Sequence, residues 1–428
     1  MTSHTADVVV VGGGPAGSAA AIDLATAGRD VVLIDKASFP RDKCCGDGLT
    51  TGALRRLERL GLQPAAVPSW QRVDDVVVRS VSGRVVRFPL PRGRGTYGAV
   101  AKRSELDHAL LETARRSGVR VEERVAFCGA RPIGGGVLVD TDAIGPIAAR
   151  YVVAADGMWS AVRKAVLPHD EPGYLGEWHA FRQYRRTAGP DGRDLWVFFE
   201  EDLRPGYAWS FPLPNNEVNV GLGVLRRPGE PTRDLGRRFR EVLTRSHIAA
   251  VLGDTSEAAT PKAWPIPARI QRTALTAADG RVLFVGDAAR STDPMTGEGI
   301  GQALETAAMA AECIGRAGPF DARSAAARYE AEIGRTMAVD NRLAEWLSLH
   351  GLAHRKGIRA ALRVAGSTPW TRSMFARWLF EDEPRAVLAT PSRWHRHLFA
   401  RPGAFAEHVA VSNRETSTWR CDVAEVDT

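Results

Sequence analysis

Five cysteines in 428 residues, with only Cys44 and Cys45 adjacent, are too few and too scattered for a disulfide framework. That excludes a small stapled scaffold and fits a protein kept in a reducing cytoplasm. No apolar run approaches the roughly 20 residues that a membrane-spanning helix needs, and the first one, residues 8–11, stops at glycines. A basic-apolar leader is not seen at the N-terminus. Histidines and cysteines lack ligand spacing, so no metal site is expected. The net charge of +7 comes without any nucleic-acid-binding motif, so nucleic acid is not an expected partner. Internal repeats and low-complexity tracts are also missing. What remains is an ordinary globular composition, long enough for roughly two to three domains.

Glycine at the ends of apolar strands is what the chain does have. Residues 8–11 are all valine and run into Gly12-Gly13-Gly14-Pro15-Ala16-Gly17. A small-residue helix over 18–27 follows, then a second strand over 30–34 that ends at Asp35-Lys36. Strand, glycine loop, helix and acid in this order supply the context that a dinucleotide fingerprint requires. Gly12 permits the tight turn, Gly14 lets backbone approach a pyrophosphate, and Gly17 lets helix pack on sheet. Ala16 and Lys36 belong to the same binding surface. The helix N-terminus offers unpaired N–H groups to phosphate, and Asp35 is placed to accept from an adenosine ribose. Far downstream, an apolar strand over 282–285 ends in Gly286-Asp287, followed by Pro294 and Gly297-Glu298-Gly299-Ile300. Two glycine-bearing strand ends feeding one crevice suit a ligand longer than a nicotinamide alone. FAD answers best.

The expected fold is α/β, with a Rossmann-type FAD-binding domain interleaved with an antiparallel β-sheet substrate domain, plus a helical C-terminal region. The nucleotide domain takes residues 1–70, 100–165 and 275–325. Within it, Lys102 opens a helix to Ser117, and a strand at 150–155 ends in Asp156-Gly157, with Arg163 expected to pair with Asp156 at a helix start. Residues 71–99 and 166–274 mix polar and apolar residues in short runs with turn signals such as Pro214-Asn215-Asn216, which reads as one antiparallel sheet. Residues 326–428 form the third region. There arginines alternate with Trp370, Phe375, Trp378, Leu379, Trp394 and Phe399. Three readings stay open for that stretch: a helical core with solvated arginines, a membrane-surface element, or a face for another protein. Residues 411–428 are polar and expected to fray.

These residues together resemble the FAD-dependent oxidoreductases with a para-hydroxybenzoate-hydroxylase-like fold, a superfamily of hydroxylases, epoxidases, halogenases and geranylgeranyl reductases. Two motifs point to the reductases. Phe39-Pro40-Arg41-Asp42-Lys43-Cys44-Cys45-Gly46-Asp47-Gly48-Leu49 is similar to their P-x-x-K-x-C-G-[GD]-G loop. Tyr207-Ala208-Trp209-Ser210-Phe211-Pro212, then eight residues, then Gly221-Leu222-Gly223, is similar to their Y-x-W-x-F-P…G-x-G pattern. The resemblance covers residues 7–310 and looks most like menaquinone reductases.

By that resemblance, Asp287 binds the ribityl or pyrophosphate part of FAD, and Gly297, Gly299 and Ile300 lie by the pyrimidine edge of the flavin. Backbone N–H groups there face the locus where negative charge collects in reduced flavin. Arg103 matches a cofactor-contacting arginine. Cys45 stands where the family has its motif cysteine and is a candidate catalytic group, together with Tyr207 and Trp209. Tyr207, Trp209 and Phe211 alternate along a strand, so they share one face. Such a face is either core packing or an aromatic wall for an apolar substrate. The resemblance implies reduction of C=C bonds in an isoprenoid chain, geranylgeranyl or menaquinone-type, by hydride from flavin N5. The alternative is an FAD-dependent monooxygenase or epoxidase acting on an aromatic or terpenoid intermediate. A halogenase is disfavoured because Tyr207 and Phe211 replace the Trp and Ile of W-x-W-x-I-P, and no lysine lies between Lys43 and Lys102. A non-catalytic flavin- or prenyl-binding protein is the remaining class. The single glycine fingerprint leaves the reductant open between NAD(P)H and a ferredoxin or flavin reductase. The expected location is cytoplasmic, with peripheral contact at the inner membrane face as one C-terminal reading.

Overall fold

In the computed structural model, residues 4–171, 173–226 and 234–406 are described. The polar tail over 411–428 lies outside them. Strand β1 (His4–Val11) occupies the middle of the first sheet, because Val8, Val9 and Val10 are β-branched and buried on both faces. It pairs in parallel with β2 (Val31–Asp35) on one side and with Ile147–Ala154 on the other. The strand Arg120–Glu123 extends the sheet beyond β2, and Val282–Phe284 extends it beyond Ile147–Ala154, both in parallel. Parallel pairing carries all these carboxyl ends to one edge. Gly12, Asp35, Ala155 and Gly286 therefore meet there, although Gly286 is far away in sequence.

The helix Pro15–Thr26 follows β1 and buries a face of Ala16, Ala19, Ala20 and Ala21. Small side chains let it pack closely on Ile300–Ala317, whose Ala303, Ala307 and Ala310 are buried as well. Gly17 shows how tight this is. A Cβ at that position would stand 1.7 Å from the carbonyl oxygen of Gly12.

The second sheet runs in the order Thr255–Glu257, Trp178–Thr187, Glu217–Leu225, Tyr207–Leu213, Leu195–Phe198, Asp75–Arg79, Val85–Pro89. Its pairs are antiparallel except Leu195–Phe198 with Asp75–Arg79, which is parallel. The expected all-antiparallel sheet is thus mixed at one seam. That seam joins two separate stretches of chain, so no hairpin dictates its direction.

Helices continue past residue 317: Ala322–Arg335, Met337–Trp346, Arg355–Ala365 and Pro369–Leu379. In Arg355–Ala365, the buried residues Ile358, Leu362 and Ala365 fall at helical spacing and pack on Val76, Val78, Val86 and Phe88 of the second sheet. Each such aliphatic side chain contributes about 1.5–3 kcal/mol on full burial. No helix among the described residues is long and apolar enough to cross a membrane.

The C-terminal arginines divide into two groups. Arg377 and Arg385 are buried, contrary to the reading that solvates them all. Arg377 pairs with Asp382 at 2.5 Å, and Asp382 also holds Arg55 of the nucleotide-binding region, which ties that region to the C-terminal helices. Arg355, Arg359, Arg363 and Arg372 stay exposed. Arg163 is a second correction. It pairs with Asp170 at 3.1 Å and donates to the carbonyls of Ala274 and Ala288. Asp156 instead accepts from the N–H of Val162 at the helix start. Capping a helix satisfies an otherwise orphaned donor, which an ion pair there would not.

Candidate active site

The glycine loop is a cradle without side chains. Gly12 has φ +107° and its missing Cβ would lie 2.5 Å from the carbonyl oxygen of Ala155. Gly14 opens towards two guanidinium groups, Arg41 and Arg103. The helix Pro15–Thr26 carries no side-chain cap and no acid in its first turn, so its leading N–H groups are free for an anion. Arg103 is buried and holds Asp107 through two 2.8 Å bonds, while Arg41 reaches the same carboxylate at 3.1 Å. Two cations on one anion leave a net positive charge beside the loop. Asp35 accepts from the N–H of Gly13 at 2.7 Å and from Ala37 at 2.8 Å, which clamps the loop to the end of β2. This donor set fits a dinucleotide pyrophosphate with its ribose.

At the other strand end, Lys43 Nζ stands 2.8 Å from Asp287. Burial alone would push the Asp287 carboxyl up, but Lys43 and Arg103 outweigh it and hold the group below the usual carboxylate range. Asp287 is therefore a fixed anion in the crevice. Replacing Lys43 by methionine is expected to weaken FAD binding roughly tenfold, since a charge-assisted bond is lost around a buried carboxylate. Flavin retained per chain after gel filtration measures it, and Lys43→Arg should restore most of the loss.

The loop 39–49 bears on the aromatic strand. Gly46 and Gly48 lie flat under Phe211, whose ring would be 3.4 and 3.3 Å from a Cβ at those positions. Asn219, opposite Phe211 in the neighbouring strand, donates to the carbonyl of Cys45 and to Asp47, each at 2.8 Å. Its own oxygen accepts from the indole of Trp209 at 3.1 Å. Asp47 also accepts from the Tyr184 hydroxyl at 2.7 Å, and burial pushes its carboxyl up to about 6 against those bonds. Cys44 and Cys45 are free thiols. Burial raises the Cys45 thiol to about 11.

Phe199, Tyr207, Trp209 and Phe211 follow one another with ring centroids 6.1, 6.2 and 6.0 Å apart. The Tyr207 hydroxyl donates to the carbonyl of Thr296, joining this aromatic row to the 297–301 loop. A Cβ at Gly221 would stand 2.2 Å from the Trp209 ring, so the glycine makes room for the indole.

A cavity of about 950 Å³ connects these parts. Gly12, Gly14, Ala16, Asp35, Lys36 and Arg103 border it at the glycine loop. Asp287, Gly297, Gly299 and Ile300 border it at the second strand end, and Cys45, Tyr207, Trp209 and Phe211 between them. Gly17 does not border it; it sits below the loop, where its role is close packing. The far wall was not legible beforehand: Leu352, Ile358, Leu362, Phe375 and Leu379 of the C-terminal region face Val76, Val78 and Val197 of the sheet. Arg41, Lys43 and Asp47 stand in the motif loop itself, but no individual role was expected of them. Asn219 carried no motif at all.

Known proteins are similar to this chain. The model of the FAD binding domain family matches residues 5–317. A menaquinone reductase of Mycolicibacterium smegmatis is 34% identical over 378 residues, 80% of this chain and 85% of that protein. Digeranylgeranylglycerophospholipid reductase 1 of Methanopyrus kandleri is 31% identical over 360 residues, 80% of this chain and 90% of its own. The crystal structure of a geranylgeranyl bacteriochlorophyll reductase-like protein from Thermoplasma acidophilum superposes with a TM-score of 0.73 at 20% identity, over 91% of this chain and all of that one.

Proposed function

The chain belongs to the FAD-dependent geranylgeranyl reductase family, and from its cavity we propose that it saturates C=C bonds of an isoprenoid chain, carried on a menaquinone or a similar lipid. The observation that carries the reading is the continuity of the cavity from the glycine loop, past Tyr207, Trp209 and Phe211, to the aliphatic wall between sheet and C-terminal helices. A long apolar chain gains about 0.8 kcal/mol for each CH₂ buried there. Bound and reduced, FAD supplies the hydride at N5. The protein's part is to hold the chain along the aromatic row, keep Asp287 and the 297–301 loop against the cofactor, and exclude water from the aliphatic end. We assign cofactor binding to Gly12, Gly14, Ala16, Gly17, Asp35, Lys36, Arg103, Asp287, Gly297, Gly299 and Ile300. We assign the substrate wall to Tyr207, Trp209 and Phe211, with Cys45 beside them.

The regions 1–70 with 100–165 and 275–325, and 71–99 with 166–274, then act as cofactor holder and substrate sheet, and the described part of 326–428 supplies the far wall of the cavity. Product mass after one turnover of the reduced holoenzyme with a prenylated quinone tests the reading. A gain of two mass units under argon that stays in the prenyl side chain after the ring is reoxidised supports it. A gain of sixteen, only in air, assigns the chain to oxygenation instead.

A substrate of this kind lives in a bilayer, and one face of the C-terminal region suits access to it. Away from the buried stripe of Arg355–Ala365 stand Lys356, Arg359 and Arg363, with Val364 68% exposed; Arg355 at the helix start and Trp370 of the next helix, 70% exposed, face solvent too. Ala361 is exposed on the same helix and lines the cavity, so an opening lies there. This face is assigned to the surface of an anionic membrane. Vesicles containing anionic lipid should bind the wild type, and a variant carrying Arg359→Gln and Arg363→Gln should bind about 30-fold more weakly, at about 1 kcal/mol per basic residue. Equal binding to neutral vesicles would contradict the assignment. The reductant is assigned to a transient visitor, NAD(P)H or a ferredoxin or flavin reductase, because the chain has one glycine fingerprint only.

A further inference from the structure

Saturating a double bond takes a proton as well as a hydride, and the groups considered so far supply it poorly. The Tyr207 hydroxyl is committed to the Thr296 carbonyl, and burial makes both it and the Cys45 thiol weaker acids. A different acid stands on the same cavity wall. Glu298, in the glycine loop itself, lines the cavity between Gly297 and Gly299.

Its surroundings are short of positive charge. Asp293 from its own loop and Glu381 from the C-terminal segment sit close by, with Arg385 as the cation among them. Arg385 is spoken for: its Nε is 3.2 Å from Asp293, and its Nη2 is 3.2 Å from Glu381. Asp293 further accepts from the N–H groups of Met295 and Thr296, at 2.8 Å each. Glu381 accepts from Gln302 at 2.9 Å and Thr50 at 3.2 Å. Glu298 has a single backbone donor, the N–H of Gly301 at 2.9 Å. The two glutamates meet at that glycine, whose missing Cβ would be 3.4 Å from Glu381 Oε2. Three carboxyl groups around one guanidinium, Asp293 buried and the two glutamates part-buried, repel one another and resist ionising together. The proton stays on the one least served by donors, which is Glu298.

We propose that Glu298, on the cavity wall between Gly297 and Gly299, is the proton donor of the reaction, with the neighbouring Glu381 and Asp293 carboxyl groups disfavouring its ionisation. The inference rests on the reading of the cavity as an alkene reductase. In the step, the C=C π bond breaks and two C–H bonds form. One takes the hydride from reduced flavin, which is oxidised. The other takes the proton released as the Glu298 O–H bond breaks, leaving a carboxylate that water entering the cavity protonates again. Burial first, and then the negative charge of Glu381, raises Glu298 to about 8. A donor with that affinity is matched to neutral pH. Tyr207 from the aromatic strand and Cys45 from the motif loop also lie within its electrostatic reach, and both are neutral there; Asp287, beside the neighbouring Gly299, is charged but paired with Lys43.

Single turnovers of the reduced holoenzyme with geranylgeraniol, under argon and across pH 6 to 9.5, test this. The wild-type rate is expected to fall above a pH of about 8, tenfold per unit. Glu298→Gln should slow saturation at least a hundredfold and abolish the limb, with flavin content and dithionite reduction unchanged. Glu381→Gln should move the limb to lower pH, because a repelling charge is gone. The infrared difference spectrum between pH 6.5 and 9.5 should lose a protonated-carboxyl band in Glu298→Gln, whatever its activity. A Glu298→Gln chain with wild-type rate, limb and infrared band overturns the assignment. If that variant does not hold flavin, an unmoved limb in Glu381→Gln overturns it. A wild type that never saturates the alkene defeats the underlying reading of function, and the donor assignment falls with it.

Discussion

A Gly17→Val chain is expected to purify colourless, with flavin per chain near zero where the wild type is near one. The missing Cβ at Gly17 would lie 1.7 Å from the Gly12 carbonyl oxygen and 2.9 Å from its carbon. Both are backbone, so no side-chain rotation relieves the overlap. The helix has to lift off the strand, and its N–H groups then leave the position where a pyrophosphate would meet them. The same lift opens the interface with Ile300–Ala317, so melting temperature should fall too. Absorbance at 450 nm and thermal denaturation followed by circular dichroism read the two effects. Gly28→Ala is the control: its φ is +77°, but nothing lies within 4 Å of a Cβ there, so only strain of about 1 kcal/mol is expected and flavin should stay bound. Normal flavin content in Gly17→Val would refute the packing account of the glycine loop.

Arg385→Met is expected to cost about 3–5 kcal/mol of stability, the loss found when one partner of a buried ion pair is removed. Arg385 is 4% exposed and is the guanidinium that faces Asp293, Glu381 and Glu298. Without it, the acids of the flavin loop and of the C-terminal segment repel one another across the seam that closes the cavity. The pH dependence has a definite sign. Glu298 ionises near 4.5 in an unfolded chain and at about 8 in the fold. The folded state therefore holds more protons between those values, and stability falls as pH rises through that window. Removing Arg385 raises the folded affinities further, so the variant should be closest to wild type near pH 5 and furthest from it near pH 9. Chemical denaturation at those two pH values separates this from a simple packing defect, whose cost would be the same at both. Glu298→Gln should flatten the wild-type dependence.

Much of the cofactor cradle was legible because its chemistry rests on backbone. Gly12, Gly14 and Gly17 do their work by lacking a side chain, so their spacing after a valine run carries the geometry with it. Asp35 and Asp287 end strands, and strand ends of a parallel sheet meet by topology. The aromatic row was legible for a related reason: alternation along Tyr207–Leu213 puts three rings on one face whatever surrounds them. Contacts between distant segments were not. Arg163 has its partners at residues 170, 274 and 288, where adjacency in sequence suggested Asp156. Asn219 links Trp209, Asp47 and Cys45 only through strand register. The apolar stripe of Arg355–Ala365 announced a buried face, yet nothing in its composition said that the face covers a cavity. Glu298 was visible in the glycine loop, but its charge balance depends on Glu381 and Arg385 far along the chain.

The anaerobic titration of reduced holoenzyme with geranylgeraniol tests the central claim most directly, because that alcohol has no quinone ring to reoxidise the flavin by another route. The account expects one flavin reoxidised under argon for each double bond saturated, with product heavier by two mass units per bond. Flavin that stays reduced until air is admitted, with an oxygen atom then found in the product, would contradict it.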